Sequence, residues 1–169
     1  MAKKQKVIEK DLNFEDKLWK AADKLRGSMD ASEYKHIVLG LIFLKYISAS
    51  FEKRREFLMD ATQDEKSEFY VPTESAREAI IEDKNQYLGV GVFFIPPKAR
   101  WSYLLENANS PQVAKLIDTA MDLIERENPH LKGVLPKIYV EYTRVRNLEP
   151  RVLGCLLYTS DAADELDGV

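Results

Sequence analysis

Apolar positions recur with helical spacing along most of the chain. Phe14, Leu18, Ala21, Ala22 and Leu25 lie three and four residues apart, the spacing that lines one face of an α-helix. Asn13 can cap this run, Glu15 and Asp16 put negative charge in its first turn, and Gly27 ends it. A longer helix is predicted from Ala31 to about Met59. Asp30-Ala-Ser-Glu33 opens it with the spacing of a reciprocal cap, in which two side chains each accept the other's free backbone N–H. Its middle, Ile37 to Leu44, is apolar almost all round, which predicts a central helix contacted on several sides. From Phe51 onward Glu52, Lys53, Arg54, Arg55 and Glu56 face outward and the helix becomes amphipathic.

Asp60 to Tyr70 is polar and reads as a loop, after which Thr73 or Ser75 caps a helix through Ala76, Ala79, Ile80 and Ile81. Val90 to Ile95 is a short β-prone run closed by Pro96-Pro97, which predicts a short strand or extended segment. Lys98 to Asn107 reads as a short helix carrying Trp101, Tyr103, Leu104 and Leu105. Ser110-Pro111 then supplies a cap and a first-turn proline for a helix whose buried stripe is Val113, Leu116, Ile117, Ala120, Met121 and Ile124. Asn128-Pro129 ends it. Leu131 to Tyr139, with Gly133 and Pro136, reads as a compact linker, and Arg144 to Gly154 opens a further segment. The fold class that follows is mainly α: a bundle-like domain around one long central helix, with at most a short β segment near 90–95.

A chain of 169 residues, 45% hydrophobic and 31% charged, has the composition of an ordinary globular domain. Its longest apolar stretch is far short of the roughly 20 residues that a membrane span needs. Residues 1–10 form a basic arm with Lys3, Lys4, Lys6 and Lys10, and no apolar region of the signal-peptide kind follows it. Cys155 is the only cysteine, so the chain can form no internal disulfide or Cys-rich metal site. A cytoplasmic location fits.

From Cys155 the text changes character. Cys155-Leu-Leu-Tyr-Thr-Ser-Asp-Ala-Ala-Asp-Glu165 reads without an apolar period and resembles the in-frame translation of a transposase-type sequencing adapter. Residues 155–169 are therefore expected to be adapter-derived. They hold Asp161, Asp164, Glu165 and Asp167 and no Lys or Arg, so taking four acids from 28 leaves 24 against 25 basic groups in residues 1–154. The formal charge moves from −3 to +1. The acidic balance of the whole chain then says little against nucleic-acid binding.

Catalytic chemistry finds no purchase in the pattern. His36 and His130 stand in different elements without neighbours at metal-ligand spacing and read as structural. There is no Gly-x-Ser-x-Gly elbow and no Gly-Lys-Ser/Thr phosphate loop. Gly89-Val-Gly91 lacks the third glycine of a dinucleotide loop and reads as a turn. No catalytic, cofactor-binding or metal residue is assigned.

Basic residues are the other candidates. Lys53, Arg54 and Arg55 end the long helix, and Arg144, Arg146 and Arg151 lie further on. Phosphate contacts need such donors, each releasing a counterion on binding. A charge run is also the ordinary solvated face of a helix, and Glu52 and Glu56 flank this one. Trp19, Phe94, Trp101 and Tyr103 read as core anchors rather than stacking platforms. Composition thus leaves open two readings: DNA contact through Lys53, Arg54 and Arg55, or a helical protein-interaction module with no DNA contact.

Three passages carry a resemblance. Leu18-Trp-Lys-Ala-Ala-Asp-Lys-Leu-Arg-Gly-Ser-Met-Asp-Ala-Ser-Glu-Tyr-Lys-His-Ile-Val-Leu-Gly-Leu-Ile-Phe-Leu-Lys-Tyr-Ile-Ser48 resembles the opening of type I restriction–modification M subunits. Ile95-Pro-Pro-Lys-Ala-Arg-Trp-Ser-Tyr-Leu104 and Ile124-Glu-Arg-Glu-Asn-Pro-His-Leu-Lys-Gly-Val-Leu-Pro-Lys-Ile-Tyr139 follow in the family's order, and Asn147 to Gly154 is similar again. Val140 to Arg146 departs from the pattern. The resemblance implies that residues 11–139 are the helical N-terminal domain, that 140–154 begin a linker toward a methyltransferase domain missing here, and that the chain is a truncated piece.

For the parent, the resemblance implies an adenine-N6 DNA methyltransferase that uses S-adenosylmethionine. Its implied partners are DNA, a specificity (S) subunit, a second M subunit and a restriction (R) subunit. The family's catalytic motifs are an Asp-Pro-x-x-Gly-x-Gly loop and an Asn-Pro-Pro-aromatic tetrapeptide, and neither occurs in this sequence. The chain itself is expected to be non-catalytic.

Overall fold

The run from Ala31 to Ala61 has no proline and a single glycine, and a computed structural model of the chain, describing residues 16, 19, 20, 23 and 29–165, folds it as one 31-residue helix, α1. Ile37, Val38, Leu41, Leu44, Ile47, Phe51 and Leu58 are buried at spacings of one, three, four and seven. Together they form one stripe. Leu39 and Tyr46 are 51% and 63% exposed, so the apolar middle is not contacted all round as its composition predicts. The elements that pack on α1 meet this stripe and leave the opposite side uncovered.

The start of α1 departs from the reciprocal cap. Asp30 stands at the N-cap without a side-chain capping bond; its carboxylate accepts from Ser32 Oγ at 3.4 Å, and Glu33 pairs with Arg146 at 2.9 Å. The free N–H groups of Glu33 and Tyr34 bond instead to the Asp30 carbonyl. Asp16, Trp19, Lys20 and Asp23 are helical, with Trp19 edge-on to Tyr34 at 5.8 Å and the Tyr34 hydroxyl donating to Asp23 at 2.9 Å. The rest of the helix predicted over 14–25, and the basic arm 1–10, lie outside the described residues.

Shorter helices follow: α2 (Glu74–Ile81), α3 (Asn85–Leu88), α4 (Trp101–Glu106), α5 (Val113–Glu127), α6 (Tyr139–Val145) and α7 (Pro150–Glu165), with 3-10 turns at Pro97–Ala99 and Pro129–Leu131. The structure is mainly α, and among the described residues there is no strand. The β-prone run 90–95 enters through a turn at Gly91, φ 74°, and continues without joining a ladder. Pro96 and Pro97 could not donate to a ladder. Asn128 satisfies the buried backbone instead: its Oδ1 accepts from the Phe94 N–H at 2.9 Å, while its Nδ2 donates to the Phe94 and Ile124 carbonyls at 2.8 and 2.7 Å. Phe94 is thereby held against Phe51 and Tyr87, with ring centroids 5.8 and 5.4 Å away.

Two helix starts lie later than the sequence predicts. Residues 98–107 divide into a 3-10 turn and α4, separated by Arg100 in an extended conformation. At Ser110-Pro111 the serine hydroxyl accepts from the Gln112 N–H at 3.1 Å, making a turn that delays α5 to Val113. α5 buries Val113, Ala114, Ile117, Ala120, Met121 and Ile124, while Leu116 is half-buried.

The flank of α5 beside its buried stripe holds the segment that follows. Asp118 accepts from the N–H groups of Tyr139 and Val140 at 3.1 and 2.9 Å, capping α6 from another helix. Burial raises the Asp118 carboxyl above its usual range, against the opposing effect of those two N–H groups. Glu125 accepts from the Leu135 N–H at 3.1 Å and from Lys137 Nζ at 2.8 Å. Residues 140–154, read from the sequence as the start of a linker, form most of α6, a turn and the beginning of α7. Asn147 turns the chain at φ 54°, and Leu148 and Leu153 enter the core. α7 packs on α1, α4 and α5 and runs unbroken past Cys155, burying Leu156 and Leu157. Gly154 lies so close to the Ala108 carbonyl that a Cβ there would strike it.

Candidate nucleic-acid interface

Phe51 and Leu58 point α1 into the core, and at 100° per residue this fixes where the side chains between them go. Lys53 is exposed, whereas Arg54 and Arg55 are half-buried. Arg54 Nε donates to the Gln86 carbonyl at 3.0 Å, and its guanidinium lies over Phe57 at 4.8 Å and Phe69 at 5.9 Å. Arg55 pairs with Glu82 of the α2 cap. Arg100 reaches the other oxygen of Glu82 at 2.7 Å, donates through Nε to the Ile95 carbonyl at 3.1 Å and covers the Phe51 ring at 5.1 Å. The run is therefore split. Arg54 and Arg55 tie α1 to the segment 82–86, and Lys53 is the member of the three that reaches solvent without an ion pair among the described residues.

Electrostatics follow from that geometry. Burial pushes the Glu82 carboxyl up, but the hydrogen bonds from Arg100 and Arg55 outweigh it and hold the group below its usual range. Burial likewise disfavours the Arg55 charge, and the bond to Glu82 reverses the effect. Glu82 and Arg100 are the members of this cluster that spacing did not reveal. They lie 27 and 45 residues from Arg55, too far for any helical period to connect them.

The later cations are divided in the same way. Arg146 pairs with Glu33, and Arg151 lies 3.3 Å from Glu149. Arg144 is exposed. Phe94 and Trp101 are buried and Tyr103 half-buried, with Lys45 Nζ 4.9 Å from the Trp101 ring centroid. Among the described residues no group of three or more His, Cys, Asp and Glu side chains is placed to hold a metal, and no helix is long and apolar enough to cross a membrane. His130 is exposed, and His36 lies on an open groove of about 370 Å³ with Leu39, Phe43, Val134, Ile138 and Tyr142.

Comparison with known proteins assigns the family. Residues 14–157 match the family described as the HsdM N-terminal domain. Over 129 residues, 76% of the chain, the sequence is 43% identical to the type I restriction enzyme MjaIX methylase subunit of Methanocaldococcus jannaschii. The matched stretch is 23% of that protein's length, so the chain spans about a quarter of the relative. The family match includes α6 and the first half of α7, which the core burial of Leu148, Leu153, Leu156 and Leu157 also joins to the rest. The chain belongs to the HsdM N-terminal domain family.

Proposed function

We propose that this chain is the N-terminal helical portion of a site-specific DNA-adenine N6 methyltransferase subunit of a type I restriction–modification system. In this reading the parent works in the cytoplasm, draws its methyl group from S-adenosylmethionine, and assembles with a specificity subunit, a second M subunit and a restriction subunit on DNA. The helical domain contributes to DNA engagement and to subunit assembly, and the chemistry resides elsewhere in the parent. The observation that carries the reading is 43% identity, over three quarters of this chain, to a type I methylase subunit.

In this reading S-adenosylmethionine is held by another part of the parent. Gly89 and Gly91 border a turn between the four-residue α3 and an irregular segment, whereas a nucleotide-type loop runs from a strand into the N-terminus of a helix. No step of methyl transfer is assigned to this chain. The test compares the complete methylase subunit, joined with its specificity subunit, with a form lacking residues 14–157. Loss of N6-methyladenine at the target while S-adenosylmethionine binding persists supports the reading; undiminished methylation overturns it.

A second reading has an observation in its favour. Arg54 and Arg55 are engaged within the fold, as a protein-interaction module with no DNA contact would have them. Retention of the chain by an immobilised specificity subunit, with a salt dependence of DNA binding unaffected by Lys53, favours this alternative.

A further inference from the structure

We draw no further inference here: the strongest candidate, the open apolar groove of about 370 Å³ between the first half of α1 and residues 134–142, carries nothing, because nothing in the structure shows what covers it.

Discussion

The Tyr139 hydroxyl donates to the Ile37 carbonyl at 2.8 Å, joining the start of α6 to α1 across 102 residues of sequence. Gly40 lies against the same hydroxyl, so closely that a Cβ there would strike it and touch Pro136. Tyr139→Phe removes only the oxygen and should cost about 1 kcal/mol, the net worth of one hydrogen bond. Gly40→Ala gains about 0.5–1 kcal/mol of helix preference. It should nevertheless be destabilising, because overpacking a filled site costs about 1–3 kcal/mol. Combining the two changes removes the oxygen that the new methyl meets, so the double variant should recover part of the loss. Urea unfolding of the four proteins checks this; a Gly40→Ala chain as stable as the parent would show that Tyr139 moves aside freely.

Asn128 is a second joint, since its amide serves both the N–H and the carbonyl of Phe94. Asn128→Ala leaves both groups buried and unpaired. At about 1–3 kcal/mol for an unsatisfied group, the loss should exceed that of Tyr139→Phe. Asn128→Asp keeps the acceptor for the Phe94 N–H but turns a second oxygen toward the Phe94 and Ile124 carbonyls. It should be at least as damaging at neutral pH, and its deficit should shrink when acid protonates the new carboxyl and restores a donor. Unfolding midpoints at pH 7 and pH 4 distinguish these effects, and equal deficits for Asn128→Asp at both would overturn the assignment of the amide as donor.

Glu82 gives the fold a pH dependence of definite sign. Its carboxyl is held below the usual value of 4.5 in the folded chain by Arg100 and Arg55, against the opposing effect of burial. The unfolded chain therefore binds the proton more tightly, and this contribution to stability, present above about pH 4.5, is lost as pH falls through the folded value. Glu125, lowered by Lys137 and backbone N–H groups against burial, acts in the same direction, whereas Asp118, raised chiefly by burial, acts against it. Glu82→Gln should thus be less stable than the parent at neutral pH and lose less on acidification. Denaturation from pH 7 to pH 3 measures the difference, and parallel curves would remove Glu82 from the acid response.

How far the sequence carries can be seen at particular residues. α1 and α5 were legible because a long apolar period without proline admits little else, and the proline pair at 96–97 correctly limited the run before it. α6 was not. Its N-terminus is capped by Asp118 from another helix, and seven residues from Tyr139 to Val145 carry too few turns to show a period. The exposed side of α1 was hidden for a different reason: Leu39 and Tyr46 look like core residues until the packing shows which side the other helices occupy. At the candidate interface, sequence placed Lys53, Arg54 and Arg55 on one helix end. It could not show that Gln86 and Glu82 take up two of the three.

That division makes the basic cluster separable by mutation. Arg54→Ala removes a bond to the Gln86 carbonyl and two aromatic contacts, and should lower stability by about 1–2 kcal/mol. Arg55→Ala breaks a partly exposed ion pair, for which about 1 kcal/mol or less is appropriate. Lys53→Ala breaks no such bond and should leave the unfolding midpoint unchanged. If Lys53 meets a phosphate in the assembled methylase, the same change should reduce the slope of log K against log salt by about 0.9, the release of one counterion. The measurement is DNA binding by the complete methylase–specificity complex over a salt series, with unfolding of each variant alongside. An unchanged slope for Lys53→Ala in a fully folded complex would remove the end of α1 from the DNA interface and leave the protein-interaction reading in its place.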